Sequence, residues 1–181
     1  MKEINIIRGN ITKMDTDAIV NAANTSLMGG GGVDGAIHRA AGPKLAQACK
    51  ELHGCTTGDA KITPGFNLKA KYVIHTPGPV WQGGRKHEAE LLENSYHNSL
   101  AVAEENGCRT VAFPSISTGI YHFPLEKATT IALETINAFL AQSKVVEEVT
   151  MVCFDNFTFQ AYGNTMQMMK FDDQVFTEFA N

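Results

Sequence analysis

Between Asn21 and Arg39 the chain reads NAANTSLMGGGGVDGAIHR, and this stretch holds most of the side chains whose spacing could do chemistry. Two amides, Asn21 and Asn24, precede four consecutive glycines, Gly29 to Gly32, and a carboxylate, Asp34, follows them. A glycine run costs backbone entropy, so a folded domain keeps one where the chain must turn sharply or admit another group closely. This run lies after an apolar strand (Asp17 to Asn21) and before a helix. There it can line a concavity with bare amide N–H groups, and the helix start adds positive potential. The chemistry that fits is the cradling of a phosphate. A flexible surface connection is the competing use of the same residues.

A second loop, Pro114 to Pro124, repeats this logic. Ser117-Thr118-Gly119 places hydroxyls and a glycine ahead of a helix, with the aromatic rings of Tyr121 and Phe123 close behind. Two such turns side by side suit a pyrophosphate better than a single phosphate. Taken alone, the loop also reads as a Ser/Thr-rich turn with its aromatics packed inward. Asp34 at a helix start reads as an N-cap, and the helix end favours negative charge there. A carboxylate in that setting suits orienting a water rather than stripping its proton unaided. His38 falls one helical turn further along the same face and reads as structural. No other histidine shows ligand spacing, and no metal or cofactor is expected.

The elements that must position these groups alternate. Strands are expected at Glu3 to Arg8 (half-buried, at a sheet edge), Asp17 to Asn21, Lys61 to Thr63, Tyr72 to His75, Thr110 to Phe113 and Val149 to Phe154. Helices are expected over Val33 to Ala41, Lys44 to Leu52, His87 to Asn106 and from Leu125 past Phe139, while 155–181 is weakly patterned and reads as partly helical. Strands alternating with helices of ten to twenty residues give an α/β class, a mixed sheet with helices on both faces. Ligands in such sheets sit at the carboxyl ends of strands, so both loops should open on one edge.

Composition narrows the function. Apolar residues are 44% and charged residues 19%, with a net charge of −4, so no basic surface for nucleic acid is expected. Strand-like patterning begins at Met1-Lys2-Glu3-Ile4, leaving no room for a signal peptide, and no apolar run has membrane-spanning length. Four cysteines without a Cys-x-x-Cys pair fit reduced thiols in a cytoplasm. Gly-x-Gly-x-x-Gly and Gly-x-x-x-x-Gly-Lys-Ser/Thr are both absent, which disfavours a Rossmann dinucleotide domain and a P-loop NTPase.

Asn24 and Gly30-Gly31-Gly32-Val33-Asp34-Gly35-Ala36-Ile37-His38 resemble the first signature loop of macrodomains, specifically the MacroD-type subgroup. Ser117 to Phe123 is similar to the second, and Gly9-Asn10-Ile11-Thr12 to a Gly-Asp-Ile-Thr element. Phe154-Asp155 resembles a strand end with a stacking aromatic, and Lys61 to Gly65 and Tyr72 to Thr76 look characteristic of the hydrolase subgroup. The likeness runs from Ile6 to about Tyr162. It implies one macrodomain over residues 1–181, a three-layer α/β/α fold around a mixed, mostly parallel sheet of about six strands.

The resemblance also implies ADP-ribose as ligand. Asn10 would accept the adenine amino group, the Ile11 N–H would meet the ring and Phe154 would stack on it. Gly31, Gly32, Val33 and Asp34 would wrap the phosphates with Ser117, Thr118, Gly119, Ile120 and Tyr121, through backbone amides. Asn24 would bind the distal ribose hydroxyls, with Tyr121 or Phe123 orienting that sugar. Asn24 and Asp34 would be catalytic, positioning sugar and water for attack at the distal C1″ with help from the substrate's phosphate. The expected activity is removal of mono-ADP-ribose from acidic side chains and deacetylation of O-acetyl-ADP-ribose. The alternatives are an ADP-ribose reader without turnover and a regulatory interaction protein. Expected partners are ADP-ribose, ADP-ribosylated proteins or O-acetyl-ADP-ribose, with no membrane, and the chain is expected to be a monomer. Two positions depart from the family: Asn10 stands where Asp is usual, and His122 where Gly is usual.

Overall fold

In the computed structural model, which describes residues 1–180, five helices cover the two faces of one seven-stranded sheet. The elements are β1 (Lys2–Arg8), β2 (Ala18–Ala23), α1 (Gly32–Ala41), α2 (Pro43–Glu51), β3 (Lys61–Pro64), β4 (Tyr72–Pro77), α3 (Glu88–Glu105), β5 (Thr110–Phe113), α4 (Leu125–Gln142), β6 (Glu148–Cys153), α5 (Asn156–Met168) and β7 (Val175–Ala180). A 3-10 turn, Ile11–Lys13, joins β1 to β2. The strand order is β3-β4-β2-β5-β6-β1-β7. Every pairing is parallel except that of β3 with β4.

The expected sheet of about six strands therefore gains one, and the gain corrects two readings. The seventh strand, β7, lies in the weakly patterned tail that read as partly helical, and β1 lies inside the sheet between β6 and β7 rather than at its edge. β7 escapes a periodicity reading because four of its residues, Phe176 to Phe179, are exposed and do not alternate. It is held by the β1 ladder and by Phe179, whose ring stacks on Phe159 with centroids 4.3 Å apart.

Alternation along the strands divides the core into two layers. Ile4 and Ile6 of β1, Val111 and Phe113 of β5, and Val149 and Met151 of β6 pack with α3, α4 and α5. Ile19 of β2, Ala112 and Val152 point the other way and pack with Ile37 and Ala41 of α1 and Leu45 and Cys49 of α2. Full burial of one Leu or Ile side chain is worth about 1.5–3 kcal/mol. The exposed Arg109–Glu147 ion pair, at 2.8 Å, belongs to a class worth about 0–1 kcal/mol. Apolar layering, not surface charge pairing, holds the sheet and helices together.

Two carboxylates fix loops that the core cannot reach. Glu104 accepts from the backbone N–H groups of Lys144, Val145 and Val146 and so ties α3 to the turn before β6. Glu88, the first residue of α3, is 1% exposed and accepts from the N–H groups of Gln82, Gly84 and Lys86. Burial alone would raise the Glu88 carboxyl, but these backbone bonds outweigh it and lower it from 4.5 to about 2. The folded value lies below the unfolded one, so the stabilisation is whole above pH 4.5 and is lost as pH falls toward 2. Wild-type Tm should therefore drop more steeply than that of Glu88→Gln between about pH 5 and pH 3. Glu104, also lowered, contributes to both curves and cancels in their difference. Parallel curves would show that the Glu88 charge does not hold the 82–86 loop.

Candidate functional site

β2 pairs with β4 along all six of its residues, but with β5 only at Ala18 and Ile19. Beyond Ile19 the two central strands part. The chain leaving β2 goes to α1 on one face of the sheet, and the chain leaving β5 goes to α4 on the other. At such a point, where connections diverge to opposite faces, a crevice is expected at the carboxyl edge between the two loops.

The first loop is held by Asn24. Its Nδ2 donates to the Gly29 carbonyl at 2.8 Å, and its Oδ1 accepts from Ser26 Oγ at 2.6 Å and from the Leu27 N–H at 3.0 Å. One Nδ2 hydrogen remains for a ligand. Leu27, 1% exposed, anchors the turn in the second core layer. Gly29 and Gly32 have φ of 92° and 59°, a region that favours glycine. Gly31 and Gly32 are exposed and Val33 is half-buried at the start of α1. A further glycine matters by close approach: a Cβ on Gly35 would lie 2.6 Å from the Gly30 carbonyl oxygen.

Asp34 is not the helix cap. The N-cap of α1 is Gly31, which makes no side-chain bond, and Asp34 is the third helical residue. Its carboxylate turns inward and is 5% exposed, with Oδ1 accepting from Asn21 Nδ2 at 2.9 Å. The other oxygen, Oδ2, faces the loop, 3.2 Å from where a Cβ on Gly30 would stand. Asn24 Nδ2 lies 3.5 Å from that same point, so the amide and the carboxylate flank Gly30. His38 Nε2 stands 3.4 Å from Asp34 Oδ1 without hydrogen-bond geometry.

The second loop is pinned from behind by two buried phenols. The Ile116 N–H donates to Tyr96 Oη at 3.1 Å, and Ser115 Oγ meets Tyr162 Oη at 2.9 Å. Burial pushes the Tyr96 phenol up to about 12 and Tyr162 well above its usual value, so both stay neutral. The side-chain hydroxyls face away from a ligand, which corrects the sequence expectation for them. Thr118 Oγ1 donates to Ser115 within the loop, and Ser117 Oγ is buried against Gly78. A Cβ on Gly78 would come within 2.5 Å of Ile116 Cγ2. What the loop offers outward is the backbone from Thr118 to Tyr121, with Gly119 and Ile120 exposed.

Of the two rings expected beside a sugar, Phe123 is 3% exposed and packs on Trp81 with ring centroids 4.9 Å apart, while Tyr121 is half-buried. The Tyr121 carbonyl accepts from the Trp81 N–H at 2.9 Å, joining this loop to the 82–86 segment that Glu88 holds. His122 has φ of 58°, the left-handed region where glycine is at ease, and its side chain is exposed.

At the other end of the crevice the Gly9 N–H donates to the Cys153 carbonyl at 3.0 Å, which aligns the ends of β1 and β6. Asn10 and Phe154 follow directly. Phe154 is 86% exposed, and Ile11 is buried beneath the turn. Asn10 Oδ1, expected to accept from a base, already accepts from the Thr12 N–H at 3.0 Å and Thr12 Oγ1 at 2.7 Å. The group that the Asn10 amide keeps free is therefore its Nδ2, a donor.

The strand ends thus bring Asn24, Asp34 and the backbones of both loops to one edge of the sheet, with Asn10 and Phe154 at the ends of β1 and β6 on that same edge. Asn21, noted in the sequence for its amide but given no role, supports this arrangement, as do Gly35, Gly78 and the two tyrosines. The two glycines give no one-dimensional signal, because what they must admit lies in another segment or another turn of the chain.

The Macro domain family model matches residues 20–132. A macro domain-containing protein of Lactiplantibacillus plantarum is 64% identical, over 92% of this chain and 97% of the relative. A Salmonella newport protein named O-acetyl-ADP-ribose deacetylase is 53% identical, over 90% of this chain and 93% of its own length. Among solved structures, a Trypanosoma brucei macrodomain in complex with ADP-ribose superposes with a TM-score of 0.85 at 41% identity, covering 90% of this chain and 68% of that one.

Gly35→Ala tests the packing of the first loop against α1. The atom it meets is backbone and cannot swing aside. A stability loss of about 1–3 kcal/mol is expected in urea unfolding, together with faster amide exchange from Gly29 to Gly32. Wild-type stability and exchange would mean that the loop does not rest on the helix there.

Proposed function

The chain belongs to the macro domain family, and on that premise we propose that residues 1–181 form a single macrodomain that binds ADP-ribose and hydrolyses its esters. The substrates are O-acetyl-ADP-ribose and mono-ADP-ribose on acidic side chains of proteins. The relative named O-acetyl-ADP-ribose deacetylase and the neighbour solved with ADP-ribose support the ligand and the reaction class. The four free, buried cysteines are in keeping with a reducing cytoplasm.

One observation carries the catalytic part of this reading: the buried Asp34 carboxylate has Oδ1 bound from behind and Oδ2 turned to the loop beside Asn24. A module that only recognised the ligand would hold its phosphates with backbone amides and gain nothing from that carboxylate. A carboxylate close to bound phosphates costs affinity, a cost that a role in turnover would account for. In the proposed step the amides of both loops fix the pyrophosphate. The remaining Asn24 Nδ2 hydrogen holds a hydroxyl of the distal ribose, and Asp34 Oδ2 accepts from the attacking water. Water cleaves the ester, releasing ADP-ribose and the carboxylic acid when the acceptor is a protein side chain. The rate gain is chiefly orientation.

Asp34→Asn keeps size and shape while removing the charge. With O-acetyl-ADP-ribose or an automodified mono-ADP-ribosylated acceptor, turnover should fall by at least about 10²-fold, while ADP-ribose affinity by calorimetry changes only a few-fold. A folded, ligand-binding Asp34→Asn protein with the wild-type rate would take Asp34 out of the mechanism. At the base end, Asn10→Asp keeps one oxygen on Thr12 and turns the other outward as an acceptor. ADP-ribose binding should tighten by up to about 1 kcal/mol, and no gain would mean that position 10 does not face the base.

A further inference from the structure

Asn21 lies in a slot that strand alternation reserves for an apolar side chain. Ile19 and Ala23, two residues to either side, both belong to the core layer under α1 and α2, and Asn21 points with them at 0% exposure. A buried amide there costs stability unless its hydrogen bonds are made. Only half of them are. Nδ2 donates one hydrogen to Asp34 Oδ1 at 2.9 Å and directs the other at His75 Nδ1, 3.2 Å away on the paired position of β4. Asn21 Oδ1 is buried with no partner among the described residues. Turning the amide over would put oxygen against an ionised carboxylate, so the orientation is set by Asp34 and not by Asn21's own bonding.

His75 completes the arrangement. Burial, and then the neighbouring His38, push its imidazole down to about 3, so the ring is neutral. With Nδ1 accepting from Asn21, the proton sits on Nε2, which donates to Thr63 Oγ1 at 3.0 Å and lies 3.6 Å from Cys49 Sγ. Burial, and then Asp34, raise the Cys49 thiol to about 11, so it too is neutral. The titratable groups beside Asp34 are thus His38 from α1 and Cys49 from α2, with His75 of β4 one amide further away. Asn21 is what joins the last of these to the carboxylate.

We propose that Asn21, braced by His75, is a positioning residue that clamps Asp34 by Oδ1 and so aims Oδ2 at the water beside Asn24. The proposal rests on the hydrolase reading of Asp34 above. The apolar slot is occupied by an amide because a donor is needed there, and its unpaired oxygen is the residue of that requirement.

The test uses the full chain, with Asn21→Asp, Asn21→Ser and His75→Asn beside Asp34→Asn. Asn21→Asp sets two carboxylates together, which must then share a proton. The acid limb of its kcat–pH profile should move up by at least about one unit, and kcat at neutral pH should fall at least about tenfold, with the ADP-ribose Kd changed less than about threefold. Asn21→Ser should lose kcat rather than raise KM. His75→Asn keeps an acceptor where Nδ1 stood and should retain most of the activity. Independently of turnover, ¹³C-carboxyl NMR, with the Asp34 signal assigned by its loss in Asp34→Asn, should show the Asp34 titration displaced upward in both Asn21 variants. An unmoved Asp34 titration in a folded Asn21 variant overturns the clamp, whatever the activity. A displaced titration with no effect on kcat in either the Asn21 variants or Asp34→Asn leaves the clamp standing as a contact but overturns the hydrolase role of Asp34, and the positioning role with it.

Discussion

The parting of β2 from β5 is the constraint on which the rest of this structure depends. The two strands share a ladder for two residues, and then β2 follows β4 while β5 ends. Had they stayed paired to Ala23, backbone would fill the space where the two loops now face each other. The divergence is stable because each loop is secured on its own side. The first rests on Gly35 of α1 and the anchored Leu27, and the second on the phenols of α3 and α5. The opening is thus a product of sheet topology, and the loops line it rather than create it.

Around that opening polar groups are spent unevenly. The hydroxyl of Thr118 and the oxygen of Asn10 are consumed inside their own turns, and the Ser117 hydroxyl is buried against Gly78. The groups left are backbone amides, the free amide hydrogens of Asn24 and Asn10, the rings of Tyr121 and Phe154 and one carboxylate oxygen. Such a surface favours an anion held without lysines, in agreement with the chain's net charge of −4. The buried chain from Asp34 through Asn21 to His75 and Thr63 is the exception, a polar thread through an otherwise apolar layer. Low dielectric makes such a thread costly when incomplete and stiff when complete.

Much of this was legible in the sequence because it is local. Six strands and four helices announce themselves by period and by their stops, and the two loops by glycine and Ser/Thr after a strand. The Asn10 turn was legible too, since an Asn two residues before a Thr N–H is a known self-capping arrangement, although the base-binding reading passed over it. Asp34 read as a cap because Asp is favoured both at the cap and in the first turn of a helix, so residue type does not separate the cap from the third helical residue. What lay beyond reach is non-local. Asn21 and His75 meet only through strand register, 54 positions apart. β7 is specified by a neighbour at the start of the chain rather than by its own pattern.

That last strand has a practical side. β7 runs parallel to β1, with Ala180 level with Ile7, so the chain leaves the sheet on the edge where Asn10 and the crevice lie, while Met1 enters from the opposite edge. The two ends are therefore not equivalent handles. A tether at the amino end lets the molecule stand on a sensor surface with its crevice toward the solution. A bulky group attached beyond Ala180 begins on the same edge of the sheet as Phe154, with β1 between them. For a dye, this nearness turns an obstacle into a reporter of whatever comes to lie on that ring.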